Sequence, residues 1–448
     1  INTDFIDNSA GVDCSDNEVN IKIALNREMI EGRLEFEDRN ELLASMTDDV
    51  AHLVLEDNRL QTLALSYLEN DGAVSLPSYV RVIEILEASG RLDRAVEGLA
   101  SNEELLRRAQ DGRGLTRPEL AVLLASTKLA LQEAIEQGNL GHDPALESDL
   151  CAAFPQAMQK RFGKAIEQHR LRNEIVATKL ANRVINRLGV LHPFELAEEE
   201  GASMADIAAM FAVAERLFGL PEIWEAVETA QISEGARIAL LDEVAVAARG
   251  QIADLLRIAR PGASPAKVVE RLKPGIDALD RQAKALLLDE VRAQSSRISD
   301  KLEAAGATKE LVAKVIRLFE LDGAVGLAEL GVRREIDETV LTRAFTSLGQ
   351  ALGLDWAQST AARITTGDPW ERLLIAGLAR DFQQLRLEFL GRAPGKDPQA
   401  AVDTWLLENK ARVEQFANLI RRARQSAVPN AAMLAQIAGQ ARVLLGRE

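Results

Sequence analysis

Two polar side chains near the start of the chain, Asn8 and Ser15, could bind a small polar ligand. The amide of Asn8 can donate and accept hydrogen bonds, and the hydroxyl of Ser15 can donate its proton to a carboxylate. Between them, Ala10 and Gly11 permit a tight turn with close backbone approach. If a helix starts at Asp16, its first N–H groups point back at that turn and form an anion-receptive site.

A simpler interpretation of the same residues is a capped helix. Ser15-Asp16-Asn17-Glu18 has the spacing of a capping box, in which Ser15 and Glu18 each bind the other's backbone N–H. We expect this helix to run from 16 to about 31, with Gly32 ending it. Spacing alone favours this interpretation, because capping boxes are common.

No other segment carries a recognisable catalytic pattern. The sequence contains no G-x-G-x-x-G, Walker A, G-x-S-x-G or H-E-x-x-H motif. The four histidines lack metal-ligand spacing, and surface or helix-end positions explain them more simply. Acidic pairs such as Asp48-Asp49 are more simply charges in a first helical turn. The sequence therefore predicts neither a catalytic residue nor a metal site in this chain.

Composition narrows the class of protein. The 448 residues are 47% hydrophobic and carry a net charge of −16, which argues against a general binder of nucleic acid or anionic membranes. No run of 18 apolar residues predicts a membrane span. Cys14 and Cys151 are far apart and are expected to be reduced thiols in a cytoplasmic protein. Because residue 1 is Ile, we expect an excised fragment, or else a missing disordered N-terminus.

Ala, Leu, Glu and Arg dominate the sequence, and only 4% of residues are aromatic. This composition predicts an all-α fold. Further helix starts are predicted at Thr47, at a Thr116–Glu119 capping box, at Ser264-Pro265 and near Thr308. One apolar stripe predicts a long helix from 276 to 302, broken or kinked at Pro274-Gly275 and forming an antiparallel hairpin with the next helix. The members of that stripe are Ile276, Leu279, Ala283, Leu287, Val291, Ile298 and Leu302.

The opening segment resembles the closing active-site segment of the glutamate dehydrogenases, which carry Asn-x-Gly-Gly-Val-x-x-Ser-x-x-Glu. Asn8, Gly11, Val12, Ser15 and Glu18 match this pattern, while Ala10 departs from it. The fuller segment 7–23 resembles the large NAD-specific bacterial enzymes. The stretches 115–125 and 169–187 resemble the C-terminal region of those enzymes. The resemblance implies that Asn8 and Gly11 contact the NAD cofactor and that Ser15 binds the side-chain carboxylate of glutamate.

The resemblance also implies how the chain is organised. Residues 1–35 would be the tail of an α/β catalytic domain, and residues 36–448 a helical C-terminal domain. The helix pattern itself predicts multi-helix bundles with long antiparallel helices, and the breaks in it predict two sub-bundles that divide between 190 and 265. The parent enzyme would convert L-glutamate, NAD and water to 2-oxoglutarate, ammonia and NADH. Its catalytic Lys and Asp and its dinucleotide fold would lie upstream, so we expect this fragment alone to be inactive and its residues 1–15 to fray.

The helical region is expected to serve structure, oligomerisation or regulation inside a cytoplasmic homo-oligomer. Its partners would be its own catalytic domain and the substrates, with no nucleic acid and no membrane. An alternative is a stand-alone helical scaffold or protein-interaction module.

A predicted helix at 169–188 carries a row of polar residues, Glu174, Thr178, Asn182 and Asn186, at steps of four. Hydrogen bonding to a neighbouring helix is the simpler role for such a row. The functional alternative is a dock for the catalytic domain, or a small-ligand site near Arg170, Arg172 and Arg183.

Overall fold

The computed structural model describes residues 2–286, 289–426 and 428–446, and within these ranges every regular element is a helix. The predicted all-α fold is thus confirmed. In the first half of the chain the helices are α1 Asp4–Asp7, α2 Ser9–Ile30, α3 Phe36–Ser45, α4 Thr47–Asn70, α5 Leu76–Ala88, α6 Asn102–Gln110, α7 Arg117–Gln137, α8 Glu147–Ala152, α9 Gln156–Glu167, α10 Arg172–Leu188, α11 Leu191–Glu200 and α12 Met204–Phe218. The second half contains α13 Leu220–Thr229, α14 Glu234–Ile258, α15 Pro265–Leu286, α16 Asp289–Ala304, α17 Lys309–Glu320, α18 Ala324–Arg334, α19 Glu338–Leu352, α20 Leu354–Ala361, α21 Pro369–Arg392, α22 Pro398–Glu408, α23 Lys410–Arg424 and α24 Ala431–Leu445.

The first long helix, α2, begins earlier than the sequence predicts. It starts at Ser9, so the predicted turn at 10–11 and the predicted N-cap at Ser15 are both wrong. The hydroxyl of Ser9 donates to Asn58 Oδ1 of α4 at 2.9 Å and so ties the first turn of α2 to its neighbour. A Ser-x-x-Glu spacing fits a helix interior as well as a helix start. Among the described residues 2–15 the expected fraying is likewise not seen, since α1 and α2 cover most of them.

The predicted stop at Gly32 is confirmed in detail. Gly32 adopts a φ of +71°, its N–H donates to Met29 O at 3.0 Å, and the N–H of Arg33 donates to Glu28 O at 2.9 Å. These two bonds form a Schellman motif, which satisfies carbonyl groups that the helix end would leave unpaired.

Four other predicted helix starts are confirmed. The capping box at Thr116 is present, with Glu119 Oε2 accepting the Thr116 N–H at 2.8 Å. α4 begins at Thr47, α15 begins at Pro265, and Thr308 caps α17. The predicted helix start at 169 is wrong, because α10 begins at Arg172.

The described residues of the predicted long helix at 276–302 belong to α15 and α16, and residues 287–288 lie outside the described part of the chain. The side chains of Ala283, Leu287 and Val291 also lie outside it. Ile276, Leu279 and Leu302 are buried, as the stripe predicted. Of the two alternatives predicted at Pro274-Gly275, the break is wrong, since α15 continues through Pro274, and the kink stays a prediction. α16 packs against α17 across the short loop at 305–308, as the hairpin prediction required.

The helices form two compact units. Unit 1 comprises Ile1–Ala197, Ala202–Ala212 and Pro261–Ala266, and unit 2 comprises Glu198–Gly201, Val213–Arg260 and Lys267–Glu448. The core of unit 1 is built on α4, α7 and α10, which pack on one another, while α2 packs on α4. In unit 2, α14, α17, α18, α19, α20, α21 and α24 surround the core. The predicted functional boundaries at residue 35 and between 190 and 265 stay predictions.

Aromatic side chains are divided unevenly between the units. Both tyrosines belong to unit 1 and all four tryptophans to unit 2, namely Tyr67 and Tyr79, and Trp224, Trp356, Trp370 and Trp405. Among the described helices, none combines the length and the apolar content that crossing a membrane requires.

Candidate functional site

The three predicted site residues share one exposed face at the start of the chain. Asn8 ends α1, and Gly11 and Ser15 follow on α2 at helical spacings of three and four residues. All three are exposed, and Asn8 Nδ2 donates to Asp4 Oδ1 at 2.8 Å. The Ser15 hydroxyl has no protein partner in the part of the chain that the structure describes. A Cβ added to Gly11 would meet nothing within 4 Å.

Large apolar side chains flank these polar groups. Phe5, Val12 and Val19 are 45%, 67% and 49% exposed, although apolar residues of this size are usually covered. We call the surface formed by residues 5–19 on this side the N-terminal face. It presents an amide and a hydroxyl beside apolar contacts, so it can bind a carboxylate or a polar ring edge. Asn8, Gly11 and Ser15 do not accept protons at neutral pH, so these three residues can bind a ligand but cannot serve as a general base.

A polar cleft of about 240 Å³ lies along α2 within unit 1, and Val19 of the N-terminal face is among its lining residues. Lys179 Nζ lies 2.6 Å from Asp57 Oδ2 at this cleft. Burial, with Asp57 as a neighbouring negative charge, raises the pKa of the Asp13 carboxyl. Asn17 Nδ2 donates to the carbonyl and to Oδ1 of Asp13, at 2.9 and 3.0 Å. Acidic residues outnumber basic ones at this cleft, which disfavours an anionic ligand.

The polar row on α10 faces this cleft. Glu174, Thr178 and Asn182 line it, and Thr178 donates only to Glu174 O of its own helix, at 2.9 Å. Within the described ranges the row makes no hydrogen bond to a neighbouring helix, so the interhelical role predicted for it is wrong. The side chains have the spacing that such bonds require, but the cleft separates them from α2, which lines its opposite side.

The three arginines predicted near this row are engaged elsewhere or exposed. Arg172 Nε donates to Gly141 O at 2.7 Å, and Arg183 Nη1 donates to Asp149 Oδ1 at 2.5 Å. Arg170 is exposed and does not line the cleft. The predicted ligand site built on these arginines is therefore wrong, because Arg172 and Arg183 bind other groups of the protein and Arg170 lies outside the cleft.

His169 was expected at the surface or at a helix end; it lies between the end of α9 and the start of α10, and it is buried. Its Nδ1 accepts the Leu171 N–H at 3.1 Å, so Nε2 carries the proton and donates to Asn20 O of α2 at 3.0 Å. Burial lowers the pKa of this imidazole. His169 thus ties α2 to the start of α10 as a neutral side chain.

Lys128 is a further group that the sequence reasoning missed. It lies in the middle of α7, only 9% exposed, and its Nζ donates to Gln61 Oε1 at 3.0 Å. Burial lowers its pKa to about 7. The signal was available in the sequence, because Lys128 interrupts an otherwise apolar and small-residue run from 120 to 131. In the described part of the chain, no group of three or more His, Cys, Asp or Glu side chains could hold a metal ion.

Comparison with known proteins assigns the chain to a family. Residues 112–442 match the sequence model of the family described as "Glutamate dehydrogenase, C-terminal". The chain belongs to the glutamate dehydrogenase C-terminal family. Residues 1–68, which include the N-terminal face, match the model described as "Bacterial NAD-glutamate dehydrogenase, catalytic domain".

Curated relatives in this family are named NAD-specific glutamate dehydrogenase. The protein of Pseudomonas aeruginosa is 33% identical over 97% of this chain and 27% of its own length. That of Halomonas elongata is 33% identical over 94% of this chain and 26% of its own length, and that of Mycobacterium tuberculosis 30% identical over 99% and 28%. The chain therefore spans about a quarter of the length of the curated relatives it matches.

Proposed function

We propose that the chain is the C-terminal part of an NAD-dependent glutamate dehydrogenase, which converts L-glutamate, NAD and water to 2-oxoglutarate, ammonia and NADH in the cytoplasm. The order of the two family matches carries this proposal. A catalytic-domain match over 1–68 precedes a C-terminal match over 112–442 in one chain. The relatives' names supply the cofactor and the substrate.

In the parent enzyme the N-terminal face would complete the active site. The exposed Ser15 hydroxyl would donate to the side-chain carboxylate of glutamate, while Asn8 and Gly11 would lie at the nicotinamide end of NAD. Phe5, Val12 and Val19 would pack on the upstream catalytic domain, which removes their apolar surface from water. Exposure of all six residues in this chain supports the proposal, since a face built to meet upstream protein has no cover here.

Substitution of Ser15 in the parent enzyme tests its role. Ser15→Ala should raise KM for glutamate roughly tenfold or more, since one charge-assisted hydrogen bond contributes about 1–3 kcal/mol. Ser45→Ala is a matched control, because Ser45 is also exposed and its hydroxyl binds only Leu42 O of its own helix. An unchanged KM in Ser15→Ala would contradict the assigned role.

The 448-residue chain alone should be inactive. Asn8, Gly11 and Ser15 cannot take the proton from the substrate amine, and the catalytic Lys and Asp and the dinucleotide-binding part would be upstream. Purified chain and parent enzyme would be compared for glutamate-dependent NADH formation at equal molar concentration. Formation of NADH by the chain alone, above a heat-treated sample, would refute this part of the proposal.

The helical region would hold subunits together or regulate the parent. Its size and large apolar content suit such a role. Light-scattering mass measurement of the purified chain should show a dimer or larger assembly at micromolar concentration. A monomer across the whole concentration range would remove oligomerisation from the proposal and leave regulation.

A further inference from the structure

A cavity of about 390 Å³ lies within unit 2, and neither family match assigns it a role. α14, α17, α19, α20 and α21 contribute most of its walls, which are largely apolar. Among the apolar side chains are Val246, Leu279, Leu318, Phe319, Leu327 and Phe345. Polar and charged side chains interrupt these walls, and a cavity of this volume that combines the two kinds of surface can hold a small molecule.

The buried charges of this cavity are already compensated. Arg380 Nη1 lies 2.7 Å from Asp322 Oδ1 and 3.4 Å from Asp254 Oδ1. Arg386 is paired with Asp355, and its guanidinium lies 3.9 Å from the centre of the Phe345 ring. A ligand that reaches this depth therefore needs no net charge at its inner end.

Three glycines make room for these side chains. A Cβ on Gly250 would lie 2.7 Å from Arg380 Nη2, and one on Gly349 would lie 2.7 Å from Arg386 Nη1. Gly323 has a φ of +87°, and a Cβ there would lie 2.8 Å from Gln383 Nε2. A Cβ atom does not come within 3.0 Å of another heavy atom in real proteins. A larger residue at any of these three glycines would therefore displace the polar group that lines the cavity there.

Two buried amide oxygens and one hydroxyl at this cavity have no hydrogen-bond partner among the described residues. They are Gln251 Oε1, Gln383 Oε1 and Ser359 Oγ, and both glutamines are 3% exposed. In each amide the nitrogen is already bonded, because Nε2 donates to Leu318 O in Gln251 and to Asp254 Oδ2 in Gln383, and the oxygen is left over. Unpaired buried acceptors are destabilising, so a ligand that donates a hydrogen bond to either oxygen would be favoured.

Two further arginines supply positive charge where the cavity meets solvent. Arg297 and Arg363 line the cavity and are exposed, and Arg363 donates to Thr360 Oγ1 at 2.9 Å. Neither has a carboxylate partner in the described part of the chain. An anionic group of a ligand would therefore find guanidinium groups that no carboxylate neutralises.

We propose that this cavity binds a nucleoside monophosphate, with the base in the buried part and the phosphate at Arg297 and Arg363. A base supplies N–H donors for Gln251 and Gln383, offers flat apolar faces to the walls, and carries no charge. A phosphate suits the guanidinium group of an arginine, which can bind it through two hydrogen bonds. An amino acid is too small to fill a cavity of about 390 Å³ and would leave most of the apolar wall uncovered.

Calorimetric titration of the 448-residue chain with AMP, and separately with GMP, tests the proposal without any dehydrogenase assay. We expect saturable one-to-one binding of at least one of them. Arg297→Gln with Arg363→Gln should weaken that binding at least tenfold, and Arg260→Gln, an exposed arginine of unit 2 away from the cavity, should leave it unchanged. Gln383→Leu should weaken binding roughly tenfold, because the base loses an acceptor.

Binding of the two halves of the nucleotide can also be measured separately. Inorganic phosphate and adenosine should each bind more weakly than AMP, since each engages only one end of the cavity. Absence of saturable binding of both nucleotides up to about 1 mM would overturn the proposal. So would binding that the double arginine variant leaves intact, or tighter binding of L-glutamate at the same residues.

Discussion

Replacing Lys128 with methionine should stabilise unit 1 at neutral pH. The side chain lies inside α7, where its ammonium has a single hydrogen bond, to Gln61 Oε1. An ammonium carries three donors, and taking its charge out of water is unfavourable unless it is fully paired. Asp57, the nearest compensating charge, is already bound to Lys179. Methionine has a similar length and no charge, so it should fill the same space.

The size of the effect follows from the pKa. Burial lowers the pKa of Lys128 from 10.5 to about 7, and one pKa unit corresponds to about 1.4 kcal/mol. The unfolded chain therefore holds this proton between pH 7 and 10.5 while the folded chain does not. The free energy of unfolding gains about 4–5 kcal/mol from this group as the pH rises through that window. At pH 7, Lys128→Met should raise it by about 3 kcal/mol, after the loss of the bond to Gln61.

The division of tyrosines and tryptophans between the two units allows the unfolding of unit 1 to be measured. Urea unfolding of unit 1 can be followed through its two tyrosines, since all four tryptophans belong to unit 2. The difference in unfolding free energy between Lys128→Met and the native chain should shrink from pH 7 to pH 10. Lys160→Met is the matched control, because Lys160 also donates to a glutamine, Gln156, but is exposed.

Two outcomes would refute this reasoning. One is a Lys128→Met chain that is no more stable than the native chain at pH 7. The other is a stability difference that does not change with pH, which would mean that packing and not charge determines the effect.

Two further predictions concern the buried charges of unit 2. Asp355→Asn should lower the free energy of unfolding by about 3–5 kcal/mol because it leaves Arg386 buried without its partner; Asp355→Leu combined with Arg386→Met should be less destabilising, and urea unfolding followed by tryptophan fluorescence would compare them. Burial raises the pKa of Asp254 from 3.8 to about 6, so the folded chain binds its proton more tightly and stability should fall as the pH rises through that window. Asp254→Asn should remove this part of the pH dependence, and an identical pH profile in the variant would contradict it.

Local signals in the sequence were sufficient where neighbouring residues alone determine the structure. The capping box at Thr116, the stop at Gly32 and the cap at Thr308 all depend on hydrogen bonds between residues at most five apart. The same reasoning failed at Ser15, because Ser-x-x-Glu is compatible with both a helix start and a helix interior. The contact that selects between them, Ser9 with Asn58, joins residues 49 apart.

Features that depend on packing between distant helices could not be read from the sequence. The burial of His169 depends on α2, and the unpaired oxygen of Gln383 depends on how α14 and α21 meet. Nothing in the spacing of these residues indicates such partners. The chemistry of Asn8 and Ser15 was suggested by the family motif, and the structure adds that both side chains are exposed on one face.

The thiol of Cys14, next to Ser15 on α2, gives the N-terminal face a chemical reporter of its own. Cys14 is exposed, whereas Cys151 is half-buried and burial raises the pKa of its thiol, which slows alkylation. Alkylation of the isolated chain should therefore modify Cys14 first. In the parent enzyme, the rate at this one thiol would report whether the face is covered, and whether substrate changes that cover, without any substitution in the protein.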